Sequence, residues 1–450
     1  MKSPFLFAAV IFCATFTKGF AQPPNIIVIL TDDQGLADYS AYGTPDIKTP
    51  NLDRIFRGGA TLPNFHANSC VCSPSRAALL TGCYPDRVGV PGVIRTETMN
   101  SWGYLSPKAI LLPQVLKTAG YTTALVGKWH LGLEDENSPN SRGFDFFHGF
   151  LGDEMDSYWT HLREGHNYMR LNRDVINPVG HATDLFTAWA LSYLKDRAKT
   201  PDTPFFLYLA YTAPHFPIQP TPEWLAQVKK EEPGSSEQRQ KYVALVEQMD
   251  AGVGQVLDLL DQLKLSDNTL IIFNSDNGGV LKLGANDGPW RGEKQHMYEG
   301  GLRVPGAARW PGKIQPGTIV PRTVLTMDIF ATACDAAGVK PPAGIDGVSF
   351  LPDLLGHPQT DPRPNFYFVR REGEGGYYGD VIEALIQGDW KIVKDQPYLP
   401  FELYDLQHDP KESIDLRATD KDKFNVLIRS LERHVLIGGQ TPWQKEGANP

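Results

Sequence analysis

Four short runs of this chain are apolar at nearly every position and then turn polar abruptly. Residues 25–30 (NIIVIL) end in Thr31-Asp32-Asp33-Gln34-Gly35, and residues 122–126 end in Gly127-Lys128-Trp129-His130. Residues 204–211 (PFFLYLAY) end in Thr212-Ala213-Pro214-His215, and residues 269–274 (TLIIFN) in Ser275-Asp276-Asn277-Gly278-Gly279. Continuous rather than alternating hydrophobicity predicts strands covered on both faces, the habit of a parallel sheet. Helix-period patterns at 111–119, 183–198 and 242–263 precede the second, third and fourth runs. Strands alternating with helices predict a large doubly wound, mostly parallel α/β sheet, and such sheets bind ligands beyond the carboxyl ends of their strands. All four polar tips are therefore expected at one crevice.

The pattern changes beyond a Pro-rich stretch at 351–364, which predicts a boundary between a large unit, 22–355, and a smaller C-terminal one, 356–450. Strand-like runs at 365–370, 381–387, 390–394 and 402–406, then a helical pattern over 421–436, predict a small antiparallel sheet with one covering helix. Within the large unit, residues 146–172 are rich in aromatic, His and Arg residues and lack clean periodicity, as an insertion lining a pocket does. Tyr158 or Trp159 there suits stacking on a sugar face, while His161, Arg163 or His166 suits the reading of hydroxyl, carboxylate or sulfate groups. Arg291, and Arg371 ahead of the Gly-rich run 373–379, are further candidates for the rim.

Composition narrows the class. A chain of 450 residues with ordinary apolar and charged fractions is globular, which excludes fibrous and disordered proteins. A formal net charge of −9 argues against nucleic acid as a partner and requires any anion site to be a local cationic cluster. Residues 1–21 read as a secretory signal peptide cleaved after Ala21, so the expected location is exported, periplasmic or secreted. No later run approaches the roughly 20 apolar residues of a membrane span, and none is expected in the mature chain.

The tips carry chemistry. Asp32, Asp33, Asp276 and the Asn277 amide form a hard oxygen set suited to Ca²⁺ or Mg²⁺. An Asp pair after one strand usually reads as a solvated turn or a helix cap, but a second Asp-Asn at another tip reverses the odds. His130 and His215 also stand at tips, whereas most of the other histidines read as structural. Elsewhere, Cys72-Ser73-Pro74-Ser75-Arg76 runs into Ala77-Ala78-Leu79-Leu80-Thr81-Gly82. Pro74 predicts a helix starting nearby, with Cys72 where unpaired N–H groups and the dipole favour anions, and Arg76 one turn on. Cys70 and Cys83 flank this stretch at a spacing that a disulfide could close in an oxidising compartment, while Cys334 lies in an apolar helical pattern and reads as core.

The Cys-x-Pro-x-Arg stretch resembles the signature of the formylglycine-dependent sulfatases, and the resemblance runs from Asn25 to about Leu416. It implies an alkaline-phosphatase-like fold and hydrolysis of sulfate esters. It also implies that a formylglycine-generating or anaerobic sulfatase-maturating enzyme oxidises Cys72, whose hydrate becomes the nucleophile beside Arg76. Asp32, Asp33, Asp276 and Asn277, with residue 72, match the family's divalent-cation ligands, usually for calcium. Lys128 and Lys294 match its sulfate-binding lysines, His130 the base beside the nucleophile, and His215 the acid that protonates the leaving group. Where some members place a serine or other polar side chain, this chain has Gly152, Asp153 and Glu154. Export and the pocket-lining insertion favour sulfated polysaccharide or glycosaminoglycan fragments as substrate. The alternatives are a phosphomonoester or phosphonate hydrolase of the same superfamily, and a non-catalytic binder of sulfated glycans.

Overall fold

A computed structural model describes residues 22–97, 100–373 and 381–445. The expected signal peptide and most of the Gly-rich run after Arg371 lie outside the described residues.

The predicted runs become the middle of a ten-stranded sheet. In spatial order its strands are Thr318–Ile319, Ala60–Thr61, Gly306–Arg309, Thr269–Ser275, Asn25–Thr31, Phe205–Ala210, Thr122–Lys128, Phe146–Phe150, Met169–Leu171 and Asp174–Val175. The five from Thr269–Ser275 to Phe146–Phe150 run parallel, with antiparallel neighbours on either side. Their hydrophobicity is continuous because both faces are covered. Ile26, Val28 and Leu30 pack with Ala77, Leu79, Leu112 and Ile329, whereas Ile27 and Ile29 pack with Phe186, Tyr242, Val246 and Leu257 on the other side. Each such side chain contributes on the order of 1.5–3 kcal/mol by leaving water.

Register keeps the tips level. Leu30 pairs with both Ala210 and Asn274, Ala210 pairs with Gly127, and Lys128 pairs with Phe150. Gly127 is required here: its φ is 108°, and a Cβ would lie 1.9 Å from the Ala210 carbonyl oxygen.

The segment expected as an insertion opens instead with the fifth parallel strand, Phe146–Phe150. His148 and Gly149 interrupt its apolar run, so the strand signal was diluted. The remainder of the segment forms the short hairpin of Leu162–Arg163 and His166–Asn167 and the two edge strands.

The C-terminal unit is a four-stranded antiparallel sheet, Phe366–Arg371, Val381–Gln387, Trp390–Lys394 and Glu402–Asp405, in sequence order. Leu427 and Leu431 of helix Lys421–Gly438 join its core, which also takes in Cys70, Val71, Ala78, Met297 and Leu302 from the large unit. The second sheet therefore packs directly against the segment around Cys72. Cys334 is buried in helix Asp328–Ala336, as expected. Among the described residues no helix is long and apolar enough to cross a membrane.

Candidate active site

Cys72 is the first residue of helix Cys72–Thr81, entered from extended Val71 and closed by left-handed Gly82, whose N–H donates to Ala78. Every residue of this helix is buried, so its small polar side chains serve the surrounding backbone. Ser73 Oγ accepts from Ile94 N–H at 3.0 Å; Ser75 Oγ accepts from Ser69 N–H at 3.2 Å and donates to Ser69 O at 3.1 Å. These bonds fix the helix start against the loops at Ser69 and Ile94. The Cys72 Sγ stands 3.5 Å from Asp32 Oδ1.

Around it the tips converge. Lys128 Nζ lies 2.6 Å from Asp32 Oδ2, and Lys294 Nζ lies 2.7 Å from Asp33 Oδ2. Arg76 does not fold back onto Cys72: Nε and Nη2 donate to Asp276 Oδ2 at 3.0 and 2.7 Å, and Nη1 to the Lys128 carbonyl at 3.4 Å. Asn277 Nδ2 donates to Asp33 Oδ1 at 2.7 Å, and the Asp33 N–H to Asp276 Oδ1 at 3.2 Å. His215 Nε2 is 3.1 Å from Lys294 Nζ, with Nδ1 2.6 Å from the Phe216 carbonyl. His130, at φ 60°, places Nε2 2.8 Å from the Ile94 carbonyl, so Nε2 carries the proton and Nδ1 is a bare acceptor without a protein partner.

Three cations thus face three carboxylates in a buried setting. Burial opposes the charge of Asp32, yet Lys128, His215 and Arg76 hold its carboxyl well below the usual range. Burial and the neighbouring Asp32 push Asp276 up to about 7. Burial, Lys128 and Arg76 all push His130 well down, so its ring stays neutral. Burial opposes the Lys294 ammonium too, but Asp33 and Cys72 raise it above the ordinary lysine range.

The sulfatase family model matches residues 24–339, and the model for the C-terminal part of N-sulphoglucosamine sulphohydrolase matches residues 290–436. The chain belongs to the sulfatase family. N-acetylgalactosamine-6-sulfatase of Canis lupus familiaris is 36% identical over 396 residues, covering 83% of this chain and 72% of that protein. Steryl-sulfatase of Homo sapiens is 28% identical, covering 99% of this chain and 93% of that protein. Among solved structures, Ps i-CgsB in complex with k-i-k-neocarrahexaose superimposes with a TM-score of 0.85 at 30% identity, over 95% of this chain and 96% of its own. The protein is a sulfuric ester hydrolase with the expected alkaline-phosphatase-like fold.

The buried acidic cluster of this sulfatase has the donors to hold a metal ion. Ligand atoms of Asp32, Asp33, Cys72 and His215 lie within 4.8 Å of one another, and the buried Asn277 Oδ1 has no hydrogen-bond partner. Carboxylates crowded enough to raise Asp276 are relieved by added positive charge.

The expected disulfide is absent: Cys70 and Cys83 are both free. The ten-residue helix Cys72–Thr81 stands between them. At about 1.5 Å per residue it separates the two by roughly 15 Å, against the roughly 4.4–6.8 Å a disulfide needs.

The six rim candidates are placed unevenly. His161 Nε2 pairs with the Gly180 carbonyl at 2.9 Å, a structural use. Arg163 is spent on Asp153, Glu154 and Asp156 at 3.2, 2.7 and 3.2 Å, and Arg371 on Tyr367 and Glu383 at 2.8 and 2.9 Å. Trp159 is half exposed with its ring against His181, and His166 is exposed on the hairpin. Arg291 lies at a cavity that His296 and Glu402 also line.

Other contributors take roles that the sequence did not assign to them. The Ile94 carbonyl sets the His130 tautomer. Tyr158, expected as a stacking face, is buried instead, and its hydroxyl props the His215 loop through the Thr212 and His215 carbonyls at 2.7 and 3.0 Å. Tyr242 Oη donates to the Asp33 carbonyl at 3.0 Å. Glu154 reaches within 3.9 Å of His215 Nε2.

Proposed function

We propose that this sulfatase is an exported enzyme that removes sulfate from carbohydrate chains, using formylglycine at position 72 and Ca²⁺ held by Asp32, Asp33, Asp276, Asn277 and residue 72. Mg²⁺ is the second choice for the same oxygens. The observation that carries this reading is the cavity at the tips, about 500 Å³, in which Asp33, Glu154, His215 and Lys294 share one mouth. Substrate class is supported by the relatives at 36% identity, whose name specifies N-acetylgalactosamine 6-sulfate, and by the neocarrahexaose bound to the structural relative at 30%.

When present, the cation lowers the charge on the sulfate oxygens, and the aldehyde hydrate supplies an oxygen nucleophile that can later revert to the aldehyde. The cysteine itself is a poor nucleophile in this place: burial pushes its thiol well above the usual value, and the lowering by Lys294 and Lys128, itself opposed by Asp276 and Asp32, does not make up for it. Lys128 and Lys294 bind sulfate oxygens as charge develops during transfer. His215 donates its Nδ1–H to the Phe216 carbonyl and presents Nε2 to the leaving oxygen, and in the doubly protonated ring Nε2 carries the proton that it delivers, leaving the neutral Nδ1–H ring behind. His130, with a bare Nδ1, accepts a proton from residue 72 in the release step.

The test is the rate on sulfate and phosphate esters of one sugar alcohol, with calcium added or removed by chelation. Preference for the sulfate ester, lost on chelation and restored by Ca²⁺, is expected. Preference for the phosphate ester would favour a phosphohydrolase, and binding without turnover would favour a glycan-binding protein.

A further inference from the structure

Beside the catalytic cavity lies a second hollow that no step of the hydrolysis uses. The first extends from His215 and Lys294 past Glu293 to His296. The second, about 330 Å³, starts at the same His296 and runs between Arg291, Gly292 and Tyr298 of the large unit and Asp395, Leu399 and Glu402 of the C-terminal unit. Both are lined by His296, so the two hollows adjoin at that side chain, as a two-part trough from the His215 and Lys294 cavity to the C-terminal unit. Each has a volume suited to a small-molecule ligand, for which roughly 300–1,000 Å³ is usual.

Apolar groups stand exposed along this trough. Phe216 lines the first hollow at 54% exposure and Leu399 the second at 53%, with Tyr398, 91% exposed, next to it in sequence. Exposed apolar side chains at a polar-rimmed concavity mark a binding surface. Flat C–H faces of pyranose rings suit such groups, and their hydroxyls suit the polar rim.

The polar lining selects the ligand's charge. Arg291 is committed: Nη1 donates to the Tyr404 hydroxyl at 2.8 Å and the Glu412 carbonyl at 2.7 Å, and Nη2 to the Tyr298 hydroxyl at 2.8 Å. Its guanidinium also covers the Tyr298 ring at 3.7 Å. His296 Nδ1 is 3.2 Å from Asp395 Oδ2. The two carboxylates of the lining are paired in turn, Asp395 with His296 and Glu402 with Arg291 at 3.7 Å and with the Tyr298 and Tyr404 hydroxyls at 2.6 and 2.8 Å, so no cation of the lining is left over for an anionic neighbour, while the carboxylates' remaining lone pairs accept from sugar hydroxyls.

We infer that the hollow between Arg291, His296 and residues 395–402 is a subsite for an uncharged sugar unit adjoining the sulfated one. The inference rests on the carbohydrate reading above and deepens it. The enzyme then favours an oligosaccharide over a sulfated monosaccharide, and a neutral or N-acetylated neighbour over a uronic acid or a second sulfated unit.

The experiment compares kcat/KM on a sulfated monosaccharide with that on two trisaccharides containing it, one with uncharged neighbours and one with uronic acid neighbours. The wild type is expected to prefer the uncharged trisaccharide about tenfold over either of the others. Leu399→Ala is expected to lower that value about fivefold while leaving the monosaccharide within about twofold. Glu402→Gln keeps an acceptor for the Tyr298 and Tyr404 hydroxyls and should narrow the discrimination against uronate. Equal rates on all three substrates, preference for the uronate, or equal loss on monosaccharide and trisaccharide would overturn the subsite. Calorimetric titration with the desulfated neutral trisaccharide separates this from the reading beneath it. Binding weakened by Leu399→Ala upholds the subsite even if none of the panel is hydrolysed. Absence of binding alongside intact monosaccharide turnover overturns the subsite and leaves the carbohydrate sulfatase standing.

Discussion

Two buried charge clusters in this molecule are built from nearly the same residue types. At the strand tips, Asp32, Asp33 and Asp276 face Arg76, Lys128 and Lys294 with His130 and His215. Between the domains, Glu299 and Glu412 face Lys391, Arg303 and His66. Lys391 Nζ lies 2.9 Å from Glu299 and 2.7 Å from Glu412, and His66 Nε2 is 3.0 Å from Glu299. The difference is in what is left over. The interdomain cluster is closed on itself, with the Glu299 N–H donating to Glu412 and Arg303 Nε to Glu299. The tip cluster keeps a bare His130 Nδ1 and an unpartnered Asn277 Oδ1, and it opens to a cavity through Asp33, His215 and Lys294. Buried charge by itself is therefore not the mark of a catalytic site. Capacity left unsatisfied, at the mouth of a cavity, is.

Substitutions should separate the two clusters cleanly. The largest effect is expected at Cys72. Cys72→Ala should remove sulfatase activity by at least about 10⁴-fold while thermal stability stays near wild type, since the helix cap and the Ser73 and Ser75 bonds remain. A Tm scan beside the turnover assay checks both halves. Next comes His215→Ala, expected to lower kcat about 10²–10⁴-fold on sugar sulfates. The loss should shrink on aryl sulfates, whose leaving oxygen needs no proton, and equal losses on both would remove His215 from the role of acid.

Lys391→Met should do the reverse. It leaves the buried Glu412 carboxylate without its cation, while Glu299 keeps Arg303 and His66, and is expected to cost about 3–5 kcal/mol of stability, yet the folded fraction should retain kcat within about twofold. Denaturant melts and active-site titration together measure this. The smallest effect concerns pH. His434, stacked on Tyr367 and 2.7 Å from Asn365 Oδ1, is pushed by burial and by Arg87 from 6.5 to about 4. The folded state holds this ring neutral while the unfolded chain protonates it, so stability should fall as pH drops from 6.5 towards 4. His434→Gln should flatten that slope in Tm against pH and leave the activity profile unchanged.

The sequence revealed the strand tips because burial on both faces leaves an unmistakable apolar run, and because a parallel sheet places every carboxyl end on one edge. Asp32, Lys128 and Asp276 were found that way, each two residues beyond the predicted strand end, and His215 four residues beyond its own. Strand Phe146–Phe150 was missed because a Gly and a His broke its run, and Ala60–Thr61 and Thr318–Ile319 because two residues have no period. Rim residues were least legible. Arg163, Arg371 and His161 have the chemistry of ligand-binding groups, but their partners, Asp153, Glu383 and the Gly180 carbonyl, are set by tertiary packing. The interdomain cluster was invisible for the same reason, since Lys391 and Glu299 are 92 residues apart.

The central claim, that the tip cluster works through a converted Cys72, is tested most directly by peptide mass spectrometry over Cys72 on protein made with and without a formylglycine-generating enzyme. Sulfate release from a sugar sulfate would be measured on the same samples. The expected result is a loss of roughly 18 Da at residue 72, present only with the maturing enzyme and proportional to activity across samples. Full activity in protein whose Cys72 remains a thiol would contradict the claim.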